Sequence, residues 1–257
     1  MSTNWRHPGR SGAVLYAVLA AVVGGITTVF SRLQVERQRG RRTVARTLPT
    51  GPVIVISNHT SYADGVLLAL AARRMGRSLR MLATAGIFRA PVVGRLARRL
   101  GFIAVARGGP DASSSLDEAA AALAAGEAVG LYPEGRLTRD PMMWPERAKT
   151  GAVRLALRTD APIVAMAMVG AHEVIGRRRM VGTLLTNIVS RPTVTTKVGP
   201  PIDVRRLMNI GPSVQPTNDE VRHAADLVMR HLVDLVADLR GEVAADPIGV
   251  HPQRDER

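Results

Sequence analysis

The stretch Val53-Ile54-Val55-Ile56-Ser57-Asn58-His59-Thr60-Ser61-Tyr62-Ala63-Asp64 joins a short apolar run to a polar turn. Its first four residues are β-branched and apolar, which is typical of a buried strand, and a helical pattern begins at Asp64. Three polar residues of the turn are candidates to cap that helix: Asn58, Thr60 and Ser61. His59 is therefore predicted at a strand-to-helix junction, near the carboxyl edge of a sheet, where α/β folds bind their ligands.

A histidine and an aspartate lie five residues apart in this turn, as His59 and Asp64. A carboxylate at that separation is expected to hold the imidazole in one tautomer and to stabilise the imidazolium that forms when it accepts a proton. His59 is thus a candidate general base and Asp64 its orienting partner. The alternative is a polar capping turn with a surface aspartate, and these residues alone leave both interpretations open.

Three further motifs follow in order along the chain, with two short segments between the second and the third. The motifs are Gly101-Phe102-Ile103-Ala104-Val105-Ala106-Arg107, Tyr132-Pro133-Glu134-Gly135-Arg136-Leu137-Thr138-Arg139-Asp140 and Ala161-Pro162-Ile163-Val164-Ala165; the segments are Trp144-Pro145 and Lys149-Thr150-Gly151. Together with Asn58-His59-x4-Asp64, they resemble the blocks of the glycerolphosphate and lysophospholipid acyltransferase family, which includes the bacterial 1-acylglycerol-3-phosphate acyltransferases. The resemblance covers roughly residues 46–205.

The motif that begins at Tyr132 departs from the family pattern at two positions. Arg136 stands where the family has threonine, and Leu137 stands where many members have an arginine that contacts phosphate. Either Arg136 or Arg139 is therefore expected to supply that charge, and the sequence does not choose between them.

The resemblance implies an enzyme that moves an acyl group from acyl-CoA or acyl carrier protein to a hydroxyl of a glycerol-phosphate acceptor. Lysophosphatidic acid, converted to phosphatidic acid, is the expected acceptor; glycerol 3-phosphate, another lysophospholipid and a glycolipid are alternatives. The implied substrate-binding residues are Arg107, Glu134, Gly135, Arg136, Arg139 and Lys149. The basic ones would bind phosphate, Glu134 would bind a glycerol hydroxyl or hold an arginine, and amides around Gly135 would bind the oxyanion. No metal and no cofactor is expected.

The composition narrows the class of partner. The chain has 257 residues with 35 Lys and Arg against 21 Asp and Glu, so its formal net charge is +14. Such a protein attracts nucleic acid or anionic lipid. Aromatic residues make up only 3% of the chain, which leaves little for base stacking and argues against nucleic acid. The absence of cysteine excludes disulfides, thiolate nucleophiles and cysteine-containing zinc sites. A non-catalytic basic membrane-binding protein remains as the alternative class.

The N-terminal segment 12–30 is uncharged over 19 residues, which is long enough for a spanning helix, although glycine and threonine dilute it. Basic residues flank both of its ends, and the heavier cluster follows it, at Arg32, Arg37, Arg39, Arg41 and Arg42. That asymmetry predicts a catalytic domain on the cytoplasmic side of the cell membrane. A secretory signal peptide is the competing interpretation. We expect an anchor that spans the membrane, re-enters it or lies in its interface.

Beyond this segment, strand and helix patterns alternate, which predicts an α/β fold with a mixed sheet. Strands are predicted at 53–57, 79–84, 102–106, 128–132, 162–169 and 193–198, and helices at 64–75, 87–99, 115–125 and 217–240. Capping-box patterns begin the last two helices, at Ser115 and Thr217. The predicted organisation is a membrane-associated helix and basic linker at 1–45, an acyltransferase domain at 46–241 and a disordered tail at 242–257.

Overall fold

The computed structural model describes residues 10–36, 48–105, 112–175 and 180–242. The predicted mixed sheet is confirmed: seven strands lie in the order β1-β7-β6-β2-β5-β3-β4. The strands from β6 to β4 in this order are mutually parallel, β7 runs antiparallel to β6, and β1 runs parallel to β7. The parallel strands therefore present their carboxyl ends along one edge.

The helices and strands follow each other in the order α1 Arg10–Phe30, β1 Arg32–Glu36, β2 Val53–Ile56, α2 Asp64–Arg74, β3 Leu79–Thr84, α3 Ala85–Arg89, α4 Pro91–Arg99, β4 Ile103–Val105, α5 Ala112–Ala124, β5 Ala128–Leu131, α6 Gly151–Thr159, β6 Ile163–Val169, α7 Ala171–Val174, α8 Met180–Ser190, β7 Thr193–Ile202, α9 Val204–Leu207 and α10 Asn218–Arg240.

The core lies on both faces of the sheet. In β2, Ile54 and Ile56 belong to a cluster with α5, α6 and α10, whereas Val53 and Val55 belong to a second cluster with α2. All four side chains are fully buried, as expected for a central strand with a helical layer on each side. Because both faces of β2 are buried, all four of its residues are apolar instead of alternating with polar ones.

The predicted helix at 87–99 was wrong in one respect, because the chain breaks at Ala90 into two short helices, α3 and α4. Proline at position 91 forces the residue before it out of helical geometry, and Ala90 is extended at φ −67° and ψ 127°. The capping box predicted at Ser115 was also wrong, since α5 already begins at Ala112. The box at Thr217 and Glu220 is confirmed, with both of its reciprocal hydrogen bonds present.

The N-terminal uncharged segment forms α1, whose two sides differ in their surroundings. Tyr16, Ala20 and Val23 face the domain, and Tyr16 is buried. The opposite side exposes five apolar residues to solvent: Val14, Val18, Val22, Ile26 and Val29. Among the described residues, no helix combines the length and the hydropathy needed to cross a membrane. The predicted tail from 242 lies outside the described residues after Glu242.

Candidate active site

The site lies where β2 and β5 end side by side. The two strands are parallel, with Ile56 aligned with Leu131, so the residues that follow them leave the sheet together. His59 comes three residues after β2, and Glu134 comes three residues after β5. The predicted position of His59, at the carboxyl edge of the sheet before a helix, is confirmed.

His59 and Asp64 are in direct contact. The Nδ1 atom of His59 lies 2.9 Å from Oδ2 of Asp64, and the histidine side chain is 20% exposed while the aspartate is 1% exposed. The same Oδ2 accepts hydrogen bonds from the backbone N–H of Thr60 at 2.5 Å and of Ser61 at 2.8 Å. Three donors therefore converge on one carboxylate oxygen. Because Asp64 accepts from Nδ1, the lone pair of the neutral ring is on Nε2.

The structure revises the capping role predicted for the turn. The residue that precedes α2 is Ala63, which makes no side-chain cap, and Asp64 instead folds back onto the amides before it. Asn58 pairs with both backbone groups of Met168 on β6, at 2.8 Å each. Ser61 donates through Oγ to the carbonyl of Ile175 at 2.9 Å. The Asn58 bonds fix the His59 loop to β6, and the Ser61 bond fixes it to the end of α7.

Tyr132, the first residue after β5, packs against the catalytic candidate. Its ring is stacked on the imidazole of His59 with centroids 4.0 Å apart and planes 12° from parallel. Burial, followed by the charge of Asp64, raises the pKa of the Tyr132 hydroxyl well above its ordinary value. The hydroxyl thus stays neutral, and the ring limits rotation of the imidazole. This contact was not predicted from the sequence. It would have required knowing that β2 and β5 are neighbouring strands whose ends are aligned.

Glu134 ties two loops together from a buried position. Its Oε1 accepts from the backbone N–H of His59 and its Oε2 from that of Glu146, both at 3.1 Å. Burial raises the pKa of Glu134 to about 8, against the effect of the two amide hydrogen bonds, and the charges of Glu146 and Asp64 add to the rise. Both carboxylate oxygens of Glu134 thus accept hydrogen bonds from backbone amides in this structure. The predicted contact of Glu134 with a glycerol hydroxyl or an arginine is not among these bonds and stays a prediction.

Gly135 allows the side chain of Lys149 to cross the turn after β5. The glycine has φ +71°, and its N–H donates to the carbonyl of Tyr132 at 3.0 Å. A Cβ at this position would lie 3.1 Å from Cε and 3.3 Å from Nζ of Lys149. A side chain here would therefore be strained and would crowd the lysine. The Gly135 amide is bonded within the turn in this structure, and the oxyanion contact predicted for the amides around this position stays a prediction.

Arg136 and Arg139 differ in how they are held. The guanidinium of Arg136 pairs with Oε1 of Glu146 at 3.1 Å, whereas Arg139 uses its backbone N–H to contact Oε2 of the same glutamate at 3.0 Å. The side chain of Arg139 is exposed. Thr138 donates its N–H to the carbonyl of His59 at 2.7 Å, so this segment wraps over the histidine. Glu146 was not predicted as a site residue.

The structure thus brings His59, Asp64, Glu134, Gly135 and Lys149 into one region, with Arg136 held beside it by Glu146. Arg107 lies outside the described residues. Within the described ranges, His, Asp and Glu side chains do not form a group of three suited to a metal ion.

An apolar cavity of about 160 Å³ lies next to this region, between α1, α2 and α4. Its lining includes Tyr16, Leu19, Gly65, Val66, Val93 and Phe102. Gly65, which lines the cavity, directly follows Asp64, the residue whose carboxylate contacts His59. The lining of the cavity is almost entirely apolar and therefore suits hydrocarbon rather than a charged group.

Sequence comparison finds relatives that match about half of this chain. An uncharacterised protein of Mycobacterium tuberculosis is 31% identical over 134 residues, which cover 48% of this chain and 35% of the relative. A chloroplastic 1-acyl-sn-glycerol-3-phosphate acyltransferase of Brassica napus, BAT2, is 27% identical over 124 residues, covering 48% of this chain and 34% of the relative. The chain therefore matches about a third of the length of these relatives.

A solved structure and a family model extend the comparison. The fold is similar to that of the 1-acyl-sn-glycerophosphate (LPA) acyltransferase PlsC from Thermotoga maritima, with a TM-score of 0.64 and 19% identity over 93% of this chain and 86% of that one. The model of the family described as Acyltransferase matches residues 35–169, a span that includes both His59 and Glu134. Because this match covers more than half of the 257 residues, the chain belongs to the Acyltransferase family.

Proposed function

We propose that this protein transfers an acyl group from a thioester to a hydroxyl of a glycerol-phosphate lipid, converting lysophosphatidic acid to phosphatidic acid. The observation that carries the proposal is the 2.9 Å contact between Nδ1 of His59 and the buried carboxylate of Asp64. That contact leaves Nε2 able to accept a proton from a substrate. The family match and the acyltransferase relative from Brassica napus support acyl transfer as the reaction.

In the proposed reaction, Nε2 of His59 removes the proton of the acceptor hydroxyl while its oxygen attacks the thioester carbonyl carbon. Asp64 stabilises the resulting imidazolium through Nδ1–H. The tetrahedral intermediate then collapses, the carbon–sulfur bond breaks, and His59 returns the proton to the departing thiolate. The acceptor itself is the nucleophile, so the reaction needs no covalent acyl-enzyme.

The basic side chains beside His59 suit a phosphorylated acceptor. Lys149 crosses Gly135 in the turn after β5, and Arg136 is held by Glu146, whose amide is bonded to Glu134. This chain of contacts links Arg136 to the loop that carries His59. We therefore assign the phosphate contact to Arg136 and Lys149 rather than to Arg139. Arg107 stays a candidate from the sequence resemblance alone.

Replacement of the two arginines one at a time tests this assignment. We expect Arg136→Ala to raise the KM for the acceptor about tenfold or more, because a charge-assisted hydrogen bond contributes roughly 1.5–3 kcal/mol. The KM for the thioester should stay nearly constant. Arg139→Ala is the matched control and should be nearly silent. A larger acceptor effect in Arg139→Ala would reverse the assignment, and equal effects on donor and acceptor would point to the phosphates of CoA.

The acceptor class is tested by an acyl-transfer assay of the purified protein with mass-spectrometric product detection. The acceptors are lysophosphatidic acid, glycerol 3-phosphate, other lysophospholipids and a glycolipid, each with acyl-CoA and with acyl carrier protein thioester. We expect lysophosphatidic acid to be used best. Preference for another acceptor would redefine the substrate, and absence of transfer to every acceptor would favour the alternative class, a non-catalytic basic membrane-binding protein.

We also propose that α1 anchors the protein to the cytoplasmic face of the cell membrane by lying in the interface. One side of α1 packs on the domain, and the other presents apolar residues to solvent, including Val18 and Val22. A helix held in this way suits insertion to the depth of the headgroup and acyl boundary. The arginines that follow it in sequence, from Arg32 to Arg46, would attract anionic headgroups.

Charged substitutions on the exposed side of α1 test the anchor without disturbing its packing. The double variant Val18→Asp and Val22→Asp should release the protein from membranes into a high-salt wash, since each valine removed from lipid loses about 1.5 kcal/mol and a charge is added. Val214→Asp, at an exposed valine in the loop before α10, is the control and should stay membrane-bound. Retention of the double variant on washed membranes would place the anchor elsewhere.

A further inference from the structure

The two short helices α3 and α4 leave apolar and basic side chains exposed together, on an element to which the acyltransferase motifs assign no role. We propose that they form a docking surface for an anionic lipid bilayer, separate from α1. The inference rests on the proposed function only in that a lipid acceptor gives such docking a purpose. Its test measures vesicle binding without substrates, so its failure is distinct from a failure of acyl transfer.

The first observation is the uneven distribution of charge along the chain. Residues 1–110 contain 17 arginines and only two carboxylates, at Glu36 and Asp64. Nine of these arginines lie within 65–110, where no Asp or Glu occurs. Asp64 is buried and bonded to His59, so it does not offset the surface charge. Residues 1–110 therefore have a formal net charge of +15, whereas the rest of the chain has −1, with 18 basic and 19 acidic residues.

The second observation is the composition of the exposed face. Val92 of α4 is 75% exposed, Val93 is 55% exposed and Ile87 of α3 is 41% exposed. Arg95 and Arg99 follow Val92 at three and seven residues, so the three share one side of the helix, and both arginines are exposed. Neither arginine forms an ion pair with a carboxylate in the part of the chain that the structure describes. Exposed apolar residues can insert into the headgroup region of a bilayer, and arginines without a carboxylate partner are attracted to anionic headgroups.

The third observation is that the pair of helices is held rigidly. A Cβ at Gly94 would lie 2.3 Å from the carbonyl oxygen of Phe88, so only glycine lets α4 pack this closely on α3. Arg98 donates to the same carbonyl oxygen at 2.8 Å. The exposed residues therefore project from a fixed structure and lose little conformational entropy on docking.

The fourth observation is continuity with the apolar cavity. Ile87 and Val93 line that cavity together with Tyr16 and Leu19 of α1 and Val66 of α2. Docking of α3 and α4 would thus bring one wall of the cavity to the lipid while α1 supplies the opposite wall. An acidic carrier protein would also attract the arginines, but charge attraction alone gives no reason for the two adjacent valines Val92 and Val93 to be exposed beside them. A bilayer accounts for both features.

The absence of cysteine from the chain allows a direct test of insertion. The full-length Val92→Cys variant is labelled with an environment-sensitive fluorophore and titrated with phosphatidylcholine vesicles that contain or lack phosphatidylglycerol. We expect a blue shift and increased emission with the anionic vesicles. Val214→Cys, at an exposed valine outside this surface, is the matched control and should not respond. An unchanged spectrum at position 92 on vesicles that demonstrably bind the protein would overturn the proposal.

The double variant Arg95→Ser and Arg99→Ser tests the charge. Its binding to anionic vesicles should weaken by about 20-fold or more at low salt, since each arginine near such a surface contributes about fivefold. The difference should shrink as salt increases. The contributions of α1 and of the two arginines to the vesicle-binding constant multiply. The ratio of the wild-type to the variant binding constant therefore stays the same when α1 is inserted in the bilayer. Arg230→Ser on α10 is the control and should bind like the wild type. Normal vesicle binding by the double variant, with turnover lost only for carrier-protein thioesters, would show that the surface docks the carrier instead.

Discussion

Replacement of His59 by alanine is expected to lower the rate of acyl transfer by at least 10²-fold while the protein stays folded. General-base catalysis typically contributes roughly 10²–10⁴ in rate, and His59 is the residue whose Nε2 is set up to accept the proton. The measurement is kcat for wild type and variant at saturating acceptor, with thermal unfolding as the check on folding. His223→Ala, at an exposed histidine on α10, is the matched control and should retain full activity.

Asp64→Asn separates charge from geometry in the same pair. The three N–H donors at Asp64 converge on a single oxygen, which an amide oxygen can replace, so the loop amides keep their acceptor. The negative charge that stabilises the imidazolium is lost, and we expect kcat to fall by at least about 10²-fold. Turnover close to the wild type in either His59→Ala or Asp64→Asn would rule out the proposed mechanism.

Glu134→Gln is expected to lower both stability and turnover. Each oxygen of Glu134 accepts from a backbone N–H, whereas glutamine offers one oxygen and turns its NH₂ group toward the other donor. A buried donor left without its acceptor costs about 1–3 kcal/mol, and here the displaced backbone is that of His59 or Glu146. We expect a loss of this size in the free energy of unfolding at pH 5–6, where the stabilisation by Glu134 is present, and a lower kcat at neutral pH. Glu173→Gln on α7 is the exposed control, expected to change stability by less than about 0.5 kcal/mol.

The pH dependence of stability tests the environment of Glu134. Its pKa in the folded protein is about 8, above the ordinary 4.5, so the folded state binds this proton more tightly than the unfolded state. The stabilisation from Glu134 is therefore fully present below pH 4.5 and is lost as the pH rises through about 8. The loss is on the order of 3–5 kcal/mol. The difference in unfolding free energy between wild type and Glu134→Gln should follow this trend in denaturant titrations from pH 5 to 9. Parallel curves would contradict the raised pKa.

The sequence predicted the parts of the site that depend on local order. Ile56 ends an apolar strand, and His59 and Asp64 lie within one loop and the following turn of helix, so their contact needs only that local geometry. The alternation of strand and helix patterns along the chain likewise predicted the α/β fold with a mixed sheet. β1 at Arg32–Glu36 was missed because its polar residues alternate on a sheet edge and resemble a basic linker.

The contacts that the sequence did not predict depend on how strands and loops are arranged in space. Asn58 bonds to Met168 across 110 positions, and His59 stacks on Tyr132 because β2 and β5 are neighbours in one register. The ion pair between Arg136 and Glu146 depends on how the loop after β5 folds back. The first two contacts require the arrangement of the sheet and the third requires the path of a loop, so none of them follows from spacing in the sequence. The departure of Arg136 from the family pattern was visible, but its partner was not.

The most direct test of the proposed reaction measures the thiol released and the phosphatidic acid formed in the same wild-type sample, alongside the intact mass of the protein. Direct attack by the acceptor hydroxyl predicts equimolar thiol and phosphatidic acid, no thiol release without lysophosphatidic acid, and an unmodified protein mass after incubation with the thioester alone. Release of thiol without acceptor together with an acylated protein would contradict the account.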